Sequence, residues 1–580
     1  MTPPAGLDAG ESPRPPLPDP PTRLHLWHWP TEAGLAAAVG GALSAALDGV
    51  PVEPLAGLEH PLPEKPLAAE VETLVVLAER RTRHTLGEAL QASDRGLVAA
   101  LGDWVGDSDR GCDRRSLILI SSARIHAPSH RHLGHVGEDE LPRRPPEDRV
   151  ARRWRRLEAQ VTEIATATAT APVVLRPTPL AATGGRDVFG RLLAGKVAAT
   201  PAGYDPPIQW LSCAELAAAI AAAVRGELAP GTWHVAPPGV VPLHRALRRE
   251  GVHRLPIPTT VLRWLLRWRG DQPDAVEGLR YPFTVSDAAR RRIMTSPSHR
   301  PQPLPPASLE RPVAELEFDP FSLDRPYIDR LGRTLFRFLH DRWWRIEWRG
   351  LEHVPRHGPA VLVANHRGHQ PWDGVMMLHR LARDLGRYPR FLIHPALVKL
   401  PHLAPYISRC GGIPACRRNG DWVLSQGKLL AVFPEGIRGA FLPYRQCHRL
   451  TRFRPDYARL ALRHGAPIIP FVVVGSAEIF PILAKLDWDW WKRLSDWPTL
   501  PITPTLSLVP LPSKWHIEVL PPIDPRQYGA ADAADDPAVY RALDARVRST
   551  MAETLGALLA RRPGIFHGSA FASTDHKETT

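Results

Sequence analysis

The sequence predicts an α/β protein built as two units, an N-terminal doubly wound sheet followed by a second α/β domain. Three observations carry that prediction. The chain has 580 residues, too many for one hydrophobic core. Short apolar runs alternate with amphipathic, Ala-rich stretches, the pattern of a mostly parallel sheet covered on both faces. A Pro-rich break at 300–317 then separates two such series. The expected organisation is a disordered leader at 1–22, a first domain at 23–299, the linker at 300–317, a second domain at 318–562 and a disordered tail at 563–580.

In the first domain the apolar runs predict strands at 24–27, 73–78, 116–121, 172–176 and 232–236, with helices at 32–47, 147–168 and 213–225. The second series opens with an amphipathic helix at 327–344. Strands at 345–348, 360–364, 429–433 and 468–474 follow, and a helix at 538–561 closes the pattern. No internal repeat relates the halves.

Apolar residues make up 44% and charged residues 23% of the chain, as in ordinary globular protein. The formal charge of +13 is mostly arginine and suits anionic partners such as phosphate head groups or acyl-CoA. No recognised nucleic-acid motif accompanies it, so nucleic acid is not an expected partner. Five scattered cysteines form no CxxC and no zinc spacing, which predicts no disulfide framework, no metal and a reducing, cytoplasmic setting. The leader lacks the apolar core of a signal peptide. No stretch reaches the ~18 uninterrupted apolar residues of a membrane span. A chain like this that works on lipid lies on the membrane.

The chemistry concentrates in the second half. The strand Ala360-Val-Leu-Val-Ala runs into Asn365-His366-Arg-Gly-His369-Gln-Pro-Trp-Asp373-Gly. A loop at the carboxyl end of a buried strand is where open α/β sheets place their sites. A histidine that deprotonates a hydroxyl needs a carboxylate to fix its tautomer and stabilise the imidazolium. Further on, Gly411-Gly412-Ile413-Pro414-Ala-Cys-Arg417-Arg418 offers two guanidinium groups. Phe433-Pro434-Glu435-Gly436-Ile-Arg438-Gly439 adds glycines for close backbone approach and an arginine fork for phosphate. Ala466-Pro467-Ile-Ile-Pro470 opens another buried strand.

These four blocks, in this order, resemble the glycerolipid acyltransferase superfamily, which includes the lysophosphatidate acyltransferases, over residues 318–562. The resemblance implies that His366 is the general base and Asp373 its orienting carboxylate. It implies an acceptor site made by Asn365, Arg417 or Arg418, Glu435, Gly436 and Arg438. The donor would be acyl-CoA or acyl-carrier protein, and the acceptor a lysolipid or related hydroxyl. Pro470 would be structural. The family's usual spacing has four residues between His and Asp, whereas six separate His366 from Asp373 here. The wider spacing looks like the branch similar to mono- and diacylglycerol acyltransferases, which opens a neutral diacylglycerol or alcohol acceptor, and it leaves His369 as a rival base.

In the first half, Ser116-Leu-Ile-Leu-Ile-Ser121-Ser122-Ala123, Val174-Leu-Arg176-Pro177 and Gln209-Trp-Leu-Ser-Cys-Ala-Glu215 resemble the extended short-chain dehydrogenase/reductases, a Rossmann fold. The functional positions depart from that family. Trp27-His-Trp29-Pro-Thr-Glu-Ala-Gly34 replaces the glycine-rich phosphate turn, and Arg152 and Arg156 stand where the catalytic Tyr and Lys belong. A degenerate, non-catalytic domain without NAD(P) is expected.

Membrane contact is expected at two places. One is the stripe Ile328, Leu331, Leu335, Phe338 and Leu339, which also reads as ordinary core. The other is Trp488, Trp490, Trp491 and Trp497 beside Lys492 and Arg493. The expected whole is an acyltransferase held peripherally on the anionic inner face of the membrane, the alternative a catalytically inactive lipid-binding scaffold.

Overall fold

The computed structural model describes residues 23–28, 33–47, 52–56, 71–77, 95–99, 101, 114–128, 134–138, 140, 148–167, 171–180, 189, 192–193, 195–268, 275–281, 283–295, 318–489 and 499–571. The expected leader and linker, the turn at 29–32 and the tryptophans beyond Trp488 lie outside the described residues.

Eight strands of the first half matter here: β1 (Arg23–His28), β2 (Val52–Ala56), β3 (Val71–Leu77), β4 (Arg114–Ile120), β5 (Val173–Pro177), β6 (Val197–Pro201), β7 (Gly231–Val235) and β8 (His253–Ile257). Six form one sheet in the order β2-β1-β3-β4-β5-β7, with every neighbouring pair parallel. The chain steps to one side of β1 for β2 and to the other for β3, the reversal that defines a doubly wound, Rossmann-type sheet. Alternation along the strands divides the core. Val75, Ile118 and Ile120 pack with helices α1 (Ala33–Ala46) and, later in the chain, Cys213–Val224. Leu74, Val76, Leu117 and Leu119 pack on the opposite face with α2 (Arg149–Ala167). With Cys213–Val224 as α3, two further helices follow, α4 (Leu243–Arg249) and α5 (Thr259–Trp268), beside a separate parallel ribbon of β6 and β8.

The second half holds a mixed seven-stranded sheet of β9 (Glu347–Arg349), β10 (Ala360–Ala364), β11 (Arg390–Ile393), β12 (Gly412–Pro414), β13 (Leu429–Val432), β14 (Ile468–Val474) and β15 (His516–Val519). Its order is β9-β15-β14-β10-β13-β11-β12, and only β14 and β15 run antiparallel. Strand β10, which runs into the Asn365–Asp373 loop, is therefore central. All five of its residues are buried because both faces are covered, which is why it reads as an unbroken apolar run. Leu362 and Ala364 pack with Trp344, Met376, Phe471 and Trp515. Val361 and Val363 face Tyr457, Leu460, Leu543 and Val547. The closing helix, Pro537–Arg561, contributes Leu543, Val547, Met551, Leu555 and Leu558 at spacings of three and four.

The helix expected at 327–344 is broken. Arg325–Arg333 ends at Thr334, a short turn Leu335–Phe338 follows, and Leu339–Trp343 winds as a π-turn. The break lets Trp344 stack on Trp515 with ring centres 4.7 Å apart. Its expected stripe divides accordingly: Ile328 and Leu339 are buried, whereas Leu335 and Phe338 remain exposed.

Candidate active site

Strand β10 delivers Asn365 and His366 to the carboxyl end of the sheet. The Asn365 amide is locked to β14: its Nδ2 donates to the Val473 carbonyl and the Val473 N–H donates to its Oδ1, both at 2.8 Å. The expectation that Asn365 contacts the acceptor is thus corrected, because its buried side chain ties two strands together. Beyond it the chain turns at Gly368, whose φ of +71° belongs to the left-handed region that glycine adopts without a Cβ clash.

The loop closes on Asp373, in the first turn of the helix Trp372–Leu385. His366 Nδ1 lies 2.8 and 3.0 Å from the two Asp373 carboxylate oxygens. The carboxylate, almost wholly buried, also accepts the Gly374 N–H at 2.9 Å and the Arg367 N–H at 3.3 Å. An Nδ1–H donated to Asp373 leaves Nε2 as the basic lone pair. The six-residue spacing is absorbed by the intervening side chains. Gln370 Nε2 donates to the Ser507 carbonyl at 2.6 Å, and Trp372 Nε1 donates to Gln370 Oε1 at 2.9 Å.

His369, the rival base, is not held by the carboxylate. Its ring sits 6.0 Å from Phe441 and 5.6 Å from Phe480, and neither nitrogen has a hydrogen-bond partner among the described residues. Burial, and then the nearby His366, lower its pKa to about 4. It is a neutral ring packed among aromatics.

Arg367, between the two histidines, carries no motif signal and was not anticipated. It is buried, and all five of its side-chain donors are used. Nη1 reaches Glu435 Oε1 and the His366 carbonyl, each at 2.6 Å. Nη2 reaches Glu435 Oε2 at 3.2 Å and the Arg449 carbonyl at 3.0 Å, and Nε donates to the Cys447 carbonyl. Glu435 Oε2 also accepts from the Thr451 N–H and hydroxyl at 2.6 and 2.9 Å. Glu435, expected among the acceptor contacts, therefore braces the loop through Arg367. Gly439 makes room for this pair: a Cβ there would lie 2.6 Å from that of Glu435.

His366 opens onto a cavity of about 650 Å³ whose walls are mostly apolar, among them Leu378, Phe391, Leu397, Tyr406, Phe433 and Leu460. Gly436 and Arg417 line it as well. Arg417 is held only loosely, 4.0 Å from Asp421 and 3.6 Å from Asp535. Arg418 faces the other way, 3.1 Å from Glu140 of the first half, so only Arg417 of that pair borders the cavity. Arg438 is exposed and is not a lining residue. In its place stands Arg454, which sequence reasoning missed. Its N–H donates to the Pro434 carbonyl at 2.9 Å, and its guanidinium is exposed without a partner among the described residues. Among the described residues no group of three His, Cys, Asp or Glu side chains could hold a metal ion.

In the first half, Ser121 is sealed. Its hydroxyl donates to Glu158, whose carboxylate is gripped by Arg176 at 3.0 and 2.7 Å. All three side chains are buried, so of Ser121 and Ser122, either of which could match the dehydrogenase serine, Ser121 is committed to an internal ion-pair cluster.

The Acyltransferase family model matches residues 345–474, the span from β9 through β14. An uncharacterized protein of Mycobacterium bovis is 38% identical over 272 residues, which cover 45% of this chain and 74% of that one. A Bos taurus protein described as a DGAT1/2-independent enzyme synthesizing storage lipids is 27% identical over 138 residues, 24% of this chain and 41% of its own. Human 2-acylglycerol O-acyltransferase 3 is 32% identical over 117 residues, 19% and 34% of the two chains. A human epimerase family protein solved with NADPH aligns over 47% of this chain and 93% of its own, at 17% identity and a TM-score of 0.34. The Rossmann-type assignment of the first half rests on the strand order itself.

Proposed function

The chain belongs to the acyltransferase family through its second half, and from that premise we propose that it moves a fatty acyl group from a thioester donor to a glycerolipid-type hydroxyl at a membrane surface. The observation that carries the reading is the His366–Asp373 pair at the mouth of an apolar cavity. His366 Nε2 takes the acceptor hydroxyl proton as the oxygen attacks the thioester carbonyl carbon. The tetrahedral adduct then collapses, the C–S bond breaks, and the departing sulfur receives that proton. Asp373 steadies the imidazolium between these steps. A general base of this kind contributes about 10²–10⁴-fold. No covalent acyl-enzyme is required.

The apolar walls suit an acyl chain, and the volume falls in the range of about 300–1,000 Å³ usual for ligand sites. Arg417 and Arg454 supply positive charge for phosphate, whether of acyl-CoA or of a phospholipid acceptor. The named relatives act, by their descriptions, in storage-lipid synthesis and on 2-acylglycerol, which supports a neutral acceptor. An apolar rim joined to the catalytic loop supports the membrane setting. Leu506, Leu508 and Val509 flank the Ser507 carbonyl that Gln370 holds and are 70%, 81% and 58% exposed. Trp343 donates to the Pro510 carbonyl at 3.1 Å and stacks with exposed Phe338. Among the described residues no helix is long and apolar enough to cross a membrane.

The test is purified protein incubated with labelled acyl-CoA and a panel of lysophosphatidate, monoacylglycerol, diacylglycerol and long-chain alcohol. Label in one or more lipid products supports the reading. No product with any acceptor, from acyl-CoA or acyl-carrier protein, would leave a lipid-binding scaffold in its place.

A further inference from the structure

Among the described residues, the β6–β8 ribbon and helix α5 present an apolar face that is left uncovered. In the ribbon Val197 stands opposite His253 and Ala199 opposite Leu255, so Val197 and Leu255 lie on one face. Helix α5 begins two residues after β8 and packs on β6. Its Leu262 is buried and seats it, whereas Val261, Trp264 and Trp268 recur at i, i+3 and i+7 along an outward stripe. Trp264 and Trp268 are 63% and 77% exposed, and Val197, Leu255 and Val261 are between 44% and 59% exposed. Two indoles one helical turn apart in water are a costly arrangement unless something covers them. Cations border the face. Arg267 lies in the last turn of α5, and Arg248 and Arg249 end α4, which packs on β8. All three are exposed and have no partner among the described residues.

This face is bonded to the wall of the acyl cavity. β6 runs into Gly203, whose carbonyl accepts the His402 N–H at 2.6 Å, and the Tyr204 hydroxyl donates to the Lys399 carbonyl. A Cβ on Gly203 would lie 2.6 Å from that of Pro401, so the contact is intimate. Arg254 of β8 braces it by donating to Thr200 Oγ1 at 2.8 Å and to the Tyr204 carbonyl. Lys399 and His402 lie between Leu397 and Tyr406, both of which line the cavity.

We propose that this face docks on an anionic phospholipid bilayer, making the first half a membrane-anchoring unit that brings the cavity wall of the second half to the lipid. Indoles prefer the water–hydrocarbon boundary and arginines the head groups, a pairing that fits a bilayer better than a protein partner. A lipid substrate in the adjacent cavity gives the reason for such a surface, and to that extent the proposal rests on the acyltransferase reading.

The test is co-sedimentation of the full chain with phosphatidylcholine vesicles containing phosphatidylglycerol. Trp264→Ser/Trp268→Ser should keep the wild-type circular dichroism and bind on the order of 10- to 100-fold more weakly. Arg248→Ser/Arg249→Ser/Arg267→Ser should lose the preference for phosphatidylglycerol over pure phosphatidylcholine. Wild-type affinity in the tryptophan variant overturns the proposal. So does a wild-type dimer that the tryptophan substitutions split while vesicle binding stays unchanged, because the face is then a subunit contact. Sedimentation needs no turnover, so vesicle binding without acyl transfer would remove the catalytic reading and leave the docking surface standing.

Discussion

Replacing Arg367 with methionine tests how the His366–Asp373 loop is held. The guanidinium makes five hydrogen bonds in a buried site, and its partner Glu435 is fully enclosed. With Arg367 gone, the Glu435 carboxylate keeps only the Thr451 donors, and the His366, Cys447 and Arg449 carbonyls lose theirs. Breaking a buried pair from one side costs about 3–5 kcal/mol, because a charge is left uncompensated. For a domain of this size that corresponds to a melting temperature lower by about 6–20 °C. The double variant Arg367→Met/Glu435→Leu removes both charges and should recover about half of the loss. Recovery stays incomplete because three carbonyls and the Thr451 N–H still lack partners. Urea denaturation of the wild type, both single variants and the double variant measures the coupling. Arg367→Met costing under about 1 kcal/mol, or a double variant no better than the sum of the singles, would refute the view that this pair clamps the loop.

Other outcomes follow from the same geometry. Asn365→Ala strands the Val473 N–H and carbonyl and should cost about 2–4 kcal/mol in chemical denaturation, with acyl-CoA affinity unchanged in whatever folds. Arg417→Ala and Arg454→Ala should each raise KM for acyl-CoA about 3- to 30-fold, more at low salt than at high, whereas Arg418→Ala should leave KM as it is. His369 is lowered from 6.5 to about 4, so the unfolded chain binds more protons below pH 6.5. Its contribution to stability is therefore complete above that pH and is lost as pH falls toward 4. His369→Phe should flatten the fall in denaturation free energy between pH 7 and pH 5, and an unchanged slope would contradict the assignment.

What the sequence made legible was whatever repeats or alternates. Ala360–Ala364 and Ile468–Val474 read as buried strands from unbroken apolar runs, and the structure has the same bounds. His366 and Asp373 stand out because a strand end, a histidine and a carboxylate are followed in order by the Gly-Gly-Ile-Pro and Phe-Pro-Glu-Gly blocks, and the structure brings the two side chains to 2.8 Å. Arg367 and Arg454 do not, since a lone arginine carries no spacing. Their meaning comes from carbonyls and carboxylates about 70 to 80 residues away, and from a turn carbonyl 20 residues back. Arg417 and Arg418 are adjacent in sequence and diverge in space, a choice made by Glu140 in the other half. β11 and β12, at one edge of the sheet, are too short at four and three residues to show a period. Helix α5 is not legible in the sequence because its stripe is apolar on the solvent side, against the usual expectation that such residues face a core.

The central claim is that one imidazole, held by Asp373, takes the acceptor's proton. The most direct measurement is the initial rate of labelled acyl transfer by wild type, His366→Ala, His369→Ala and Asp373→Asn, each checked for folding by circular dichroism. His366→Ala and Asp373→Asn should fall by about 10²–10⁴-fold, while His369→Ala retains rates within about tenfold of wild type. Transfer that survives in His366→Ala but disappears in His369→Ala would contradict the account.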